Sequence, residues 1–101
     1  DGTLKMSRRN ITSTATASVS DYFIGVSTVG SVVSVRLQSA ISLQSGQMLV
    51  VKDEGGAANA NNITILASGS ETIDGQNTVV LESPYASVQL YCNGSDKYFI
   101  Y

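Results

Sequence analysis

The side chains best placed to do chemistry are the carboxylates of Asp53, Glu54, Glu71, Asp74 and Glu82 and the thiol of Cys92. Two carboxylates can cleave a glycosidic bond when they face one cleft and divide the acid and base roles. Asp53 and Glu54 are neighbours at the end of an apolar run that reads as a strand. Successive strand residues point to opposite faces, so these two do not converge. Asp74 precedes Gly75 and has the ordinary work of a turn residue. Cys92 would need a base to become a thiolate nucleophile, and the chain contains no His. That absence also removes Ser-His-Asp arrangements and imidazole metal sites. Cys92 falls on the apolar face of a strand beside Tyr91 and reads as a packed core thiol. No enzymatic activity, catalytic residue or cofactor is expected.

Metal and phosphate chemistry fare no better. Asp53, Glu54, Asn59, Asn61 and Asn62 supply oxygen atoms close in sequence, but not at the spacing of a calcium-binding EF-hand loop. No metal is expected there. Gly55-Gly56 lacks the Lys-Ser/Thr of a phosphate-binding loop. Lys52 beside a carboxylate raises the idea of a Lys-Asn cross-link, for which sequence alone fixes no geometry. Asn10-Ile11-Thr12, Asn62-Ile63-Thr64 and Asn93-Gly94-Ser95 match the glycosylation sequon, as chance permits in a chain so rich in Asn, Ser and Thr. The single cysteine excludes an intramolecular disulfide.

The elements that would position these groups follow from composition and pattern. Charged residues make up only 14% of the chain, against roughly 25% in ordinary soluble domains. Their place is taken by hydroxyl and amide side chains, a surface common in extracellular β proteins. A net charge of -2 leaves no electrostatic footprint for nucleic acid. No apolar run reaches the ~18 residues that span a bilayer, so membrane insertion is not expected. The start at Asp1 without Met reads as a cut or processed end.

Residues 1–20 read as a connector or shaft-end segment and 21–101 as one β domain. Within it, 21–26 and 32–37 alternate apolar and polar residues, as half-buried strands do. Residues 27–31 suit a tight hairpin loop between them. A short helical turn fits 38–46. The unbroken Met48-Leu49-Val50-Val51 run predicts a strand buried on both faces. Short strands follow at 62–66, 71–73 and 78–81, and Pro84 bars a central-strand position. A last hairpin pairs 86–92 with 97–101 across residues 93–96. About eight closely spaced strands predict an all-β, compact antiparallel sandwich or barrel-like domain.

Tyr98 and Ile100 lie on one face of the last strand, Phe99 and Tyr101 on the other. A strand apolar on both sides is central in a thick fold or meets another subunit. In so small a chain the subunit reading is preferred, making Tyr98, Phe99, Ile100 and Tyr101 candidate interface residues.

The ordered segments Asp21-Tyr22-Phe23-Ile24-Gly25-Val26, Val33-Ser34-Val35-Arg36-Leu37, Gly46 through Gly56, Asn62-Ile63-Thr64-Ile65, Glu71-Thr72-Ile73-Asp74-Gly75 and Tyr85 through Tyr91 carry a resemblance. Their order is similar to that of a C-terminal β domain of phage tail-fibre and virion-spike proteins. Two departures stand out: Leu37-Gln38 replaces a common Leu-Pro, and Tyr98 replaces a Trp near the end. The resemblance implies a homotrimeric head on an external virion fibre, attached to the rest of the fibre and binding a protein or glycan receptor on the host cell. Loops position recognition residues on rigid β scaffolds, so Glu54, Asn59, Asn61, Asn93 and Asp96 are candidate receptor contacts. A bacterial surface adhesion module is the alternative, and a carbohydrate-active enzyme domain the weaker one.

Overall fold

The computed structural model describes residues 3–101. Among them ten strands form two sheets that face each other across one core. In chain order these are β1 (Arg8–Ile11), β2 (Ala15–Thr16), β3 (Phe23–Val26), β4 (Val33–Arg36), β5 (Met48–Asp53), β6 (Ile63–Leu66), β7 (Thr72–Ile73), β8 (Thr78–Leu81), β9 (Ser87–Cys92) and β10 (Lys97–Ile100). A single 3-10 turn, Ala40–Ser42, falls where a helical turn was expected. The larger sheet, sheet A, has the order β1-β3-β5-β9-β10-β7; the smaller, sheet B, runs β2-β4-β6-β8.

The all-β, two-layer architecture agrees with the sequence, but the pairing is not simply antiparallel. From β1 to β9 the chain changes sheet at every connection. Up to β6, each return to a sheet comes in the direction of the previous visit. Parallel ladders result between β1, β3 and β5 in sheet A and between β2, β4 and β6 in sheet B. The chain coils like a short two-layered solenoid. β8 and β9 then run antiparallel against β6 and β5, β10 forms a hairpin with β9, and β7 pairs parallel with β10. Residues 27–31, expected to close a hairpin, instead form an arch from sheet A to sheet B.

The strands are short because the apolar residues that anchor them are short alternating runs. Ile24, Val51 and Val88 lie side by side across sheet A, as Val33, Ile63 and Leu81 do across sheet B. All six are at most 6% exposed. Burying an aliphatic side chain stabilises by roughly 1.5–3 kcal/mol, so these rows hold the layers together. Tyr98 completes the core at 1% exposure, and its hydroxyl donates to the Gln38 carbonyl at 2.7 Å. Burial pushes the Tyr98 phenol pKa up, with smaller contributions from Cys92 and Glu71.

Residues 8–16, expected in a connector, carry β1 and β2 and are hydrogen-bonded into both sheets. Asp1 and Gly2 lie outside the described residues. The run Arg8-Arg9-Asn10 conceals a strand because its polar side chains hide the alternation on which a strand reading depends.

Candidate assembly surface

Among the outward side chains of sheet A is a cluster of apolar and aromatic groups, with polar Lys52, Ser87 and Gln89 beside it. Met48 is in register with Tyr91, and Tyr91 with Phe99; Phe23 is in register with Val50 one row away. Alternation explains the arrangement: Leu49, Val51 and Leu90 enter the core, so the residues between them face out. The Met48–Val51 run is thus not buried on both faces. Met48 is 44% exposed, Tyr91 38%, Phe23 40% and Tyr101 54%.

The rings pack on one another. Tyr91 lies 5.3 Å from Phe99 and 5.8 Å from Tyr101 between ring centroids, tilted by 39° and 53°. Tyr22 meets Phe23 edge-on at 4.6 Å. These are favoured aromatic separations, and they hold the surface in shape. The Tyr101 hydroxyl donates to the Met48 sulfur at 3.4 Å. Beside Met48 the surface continues into a groove of about 400 Å³ lined by Met6, Val19, Tyr22 and Gln47 among others.

Of the four residues expected at a subunit interface, Phe99 and Tyr101 belong to this surface. Ile100 is 39% exposed. Tyr98 is corrected to a core residue: its place in β10 turns it inward, where Gln38 satisfies its hydroxyl. Phe23, Met48 and Tyr91 are the members that sequence reasoning missed. The signal was present in their alternation with Ile24, Leu49 and Leu90.

The loop residues considered for a receptor are largely engaged within the fold. Glu54 accepts from Arg8 Nε at 3.1 Å and Nη2 at 2.5 Å and from Asn10 at 3.1 Å. The hydrogen bond from Arg8 holds its carboxyl below the usual range. Asn61 donates to the Thr28 carbonyl at 2.8 Å. The Asn93 side-chain oxygen accepts from the backbone N–H groups of Ser95, Asp96 and Lys97, while its amide donates to Asp96 at 3.0 Å. That hydrogen bond lowers the Asp96 pKa, helped by the Lys97 charge. Asn59 is exposed.

Asp53 turns inward and Glu54 outward. Cys92 is buried, with its thiol donating to the Gln44 carbonyl at 3.4 Å. Glu71 binds Ser39 Oγ and the Ala40 N–H, both at 3.0 Å, tying down the 3-10 turn. Lys52 Nζ donates to the Tyr85 carbonyl. Among the described residues, no three of His, Cys, Asp and Glu are grouped to hold a metal ion.

The domain is thus a two-sheet β scaffold with an aromatic cluster on the outer face of sheet A. Residues 2–101 match the family described as bacteriophage T4 gp9/10-like protein, N-terminal. The chain belongs to that family. It is a virion-associated, phage tail-related protein. The expected C-terminal fibre head is corrected, because the matching region is the N-terminal one. The match also includes nearly all of residues 1–20, in keeping with the strands found there. No curated protein matches the chain.

Proposed function

We propose that this domain is a non-catalytic assembly module of the phage tail, joining copies of its own chain into a homotrimer through the aromatic face of sheet A. The observation that carries the proposal is the row of exposed Met48 and Tyr91 and half-buried Phe99, with exposed Phe23 and Tyr101 beside it. Aromatic side chains and Met are enriched at the centres of protein interfaces, where charges are depleted. Membership of a phage tail-related family gives such a face partners within the virion. The threefold stoichiometry rests on the resemblance to trimeric fibre domains. Contact with a host receptor has less support, because Glu54, Asn61, Asn93 and Asp96 hold their own loops in place.

The test is Tyr91→Lys, which sets a charge in the middle of the face without touching the core. The variant is expected to keep the circular dichroism spectrum of the unmodified protein and to fall to the mass of one chain by light scattering. A folded variant with the parent's mass would remove sheet A from the assembly.

A further inference from the structure

We infer that Tyr85 is a stacking platform for the pyranose ring of a neutral saccharide. At 59% exposure it is the most exposed aromatic side chain of the described residues. A large ring gains little from standing in water, and its φ of 63° adds backbone strain. The fold nonetheless fixes it there. Asp53 Oδ2 accepts from its N–H at 2.9 Å, and Lys52 Nζ donates to its carbonyl. Its ring rests against Gly56, where a Cβ would come 2.6 Å from the phenol carbon Cζ. Strained residues that their surroundings over-determine cluster at ligand-binding sites.

The groups around the ring select the ligand. Lys52 Nζ lies 5.8 Å from the ring centroid. Lys52 pairs with Ser87 across the β5–β9 ladder, and Val50 with Gln89 in the next row. By alternation Lys52, Ser87 and Gln89 all face out from sheet A. On the loop side Gly55 abuts Ser27. One flat apolar ring is thus set among ammonium, hydroxyl and amide groups. An apolar partner side chain would leave those polar groups without matching contacts. A pyranose suits both parts, because its C–H face packs on an aromatic ring while its hydroxyls donate and accept. Lys52 supplies donors only, whereas Ser87 and Gln89 supply donors and acceptors. The Glu54 carboxylate interacts with the Lys52 charge, which favours a neutral sugar over an acidic one.

The platform is distinct from the aromatic cluster proposed for assembly. The Lys52-Ser87 row and the Met48-Tyr91 row are separated by the Val50-Gln89 row.

Titration of the unmodified protein with glucose, galactose and N-acetylglucosamine, followed by amide chemical shifts, tests the inference. At least one sugar is expected to give saturable shifts at the amides of Gly56, Tyr85 and Ser87, with Tyr91 unmoved. Tyr85→Phe keeps the ring and is expected to keep the shifts. Tyr85→Asn has a short side chain that accepts a left-handed φ. It is expected to keep the circular dichroism spectrum of the unmodified protein and to lose the shifts. Absence of saturable shifts in the unmodified protein with all of these sugars would overturn the inference. So would equal shifts in a folded Tyr85→Asn. The titration of the unmodified protein decides even where Tyr85→Asn fails to fold.

Discussion

Asp53 buries a carboxylate whose charge is met by backbone N–H groups. Gly56 N donates at 3.0 Å, Ala58 N at 3.1 Å and Tyr85 N at 2.9 Å. Burial pushes the Asp53 pKa up, but the donors from Tyr85, Ala58, Gly56 and Gly55 outweigh it and the net direction is down. Tyr85 is held at φ 63°, a left-handed conformation uncommon for a bulky residue. One side chain thus ties the loop after β5 to the approach to β9. Asp53→Asn replaces one acceptor oxygen with a donor facing N–H groups, and charge-assisted hydrogen bonds contribute about 1.5–3 kcal/mol each. A loss of at least one such bond's worth is expected in the urea midpoint at pH 7. The sign of the pH dependence follows from the lowered pKa. The carboxylate's contribution is present above its unfolded pKa of about 3.9 and is lost as pH falls through the lower folded value. The unmodified protein should therefore lose stability below about pH 4 more steeply than Asp53→Asn. Parallel acid limbs for the two would remove Asp53 from this role.

Glycine at position 94 shows how a whole element depends on one backbone site. It sits at φ 74° in the β9–β10 turn, and a Cβ there would come 2.7 Å from the backbone nitrogen of Ser45. Backbone cannot swing aside as a side chain can, so Gly94→Ala is expected to destabilise by about 2 kcal/mol through strain and a displaced segment. Chemical denaturation checks this; an unchanged midpoint would mean that the segment yields freely. Most strands were legible because alternation is a local property: Val33-Ser34-Val35-Arg36 and Ser87 through Cys92 carry it plainly. Which strands pair is not local. Residues 27–31 have the composition of a hairpin loop, yet they cross between layers because Val33, Val35, Ile63 and Ile65 bury more by forming a second sheet. Position 98 failed for a related reason. A tyrosine on a two-faced apolar strand reads equally as core or interface until an acceptor is in view, and that acceptor, Gln38, lies 60 residues away in sequence.

At the scale of the whole molecule, a coil closed by antiparallel strands at one end carries the outer face of sheet A, the surface proposed for assembly. Its members were legible only in part: Phe99 and Tyr101 stand out in an aromatic terminus, whereas Met48 and Tyr91 look like core until their register is known. The low charge of the chain agrees with a protein that works against neighbours rather than alone in water. The most direct test of this account is the solution mass of the unmodified protein, by light scattering coupled to size exclusion over a wide concentration range. A mass near three times the 10.6 kDa chain is predicted, and a single chain at every concentration would contradict it.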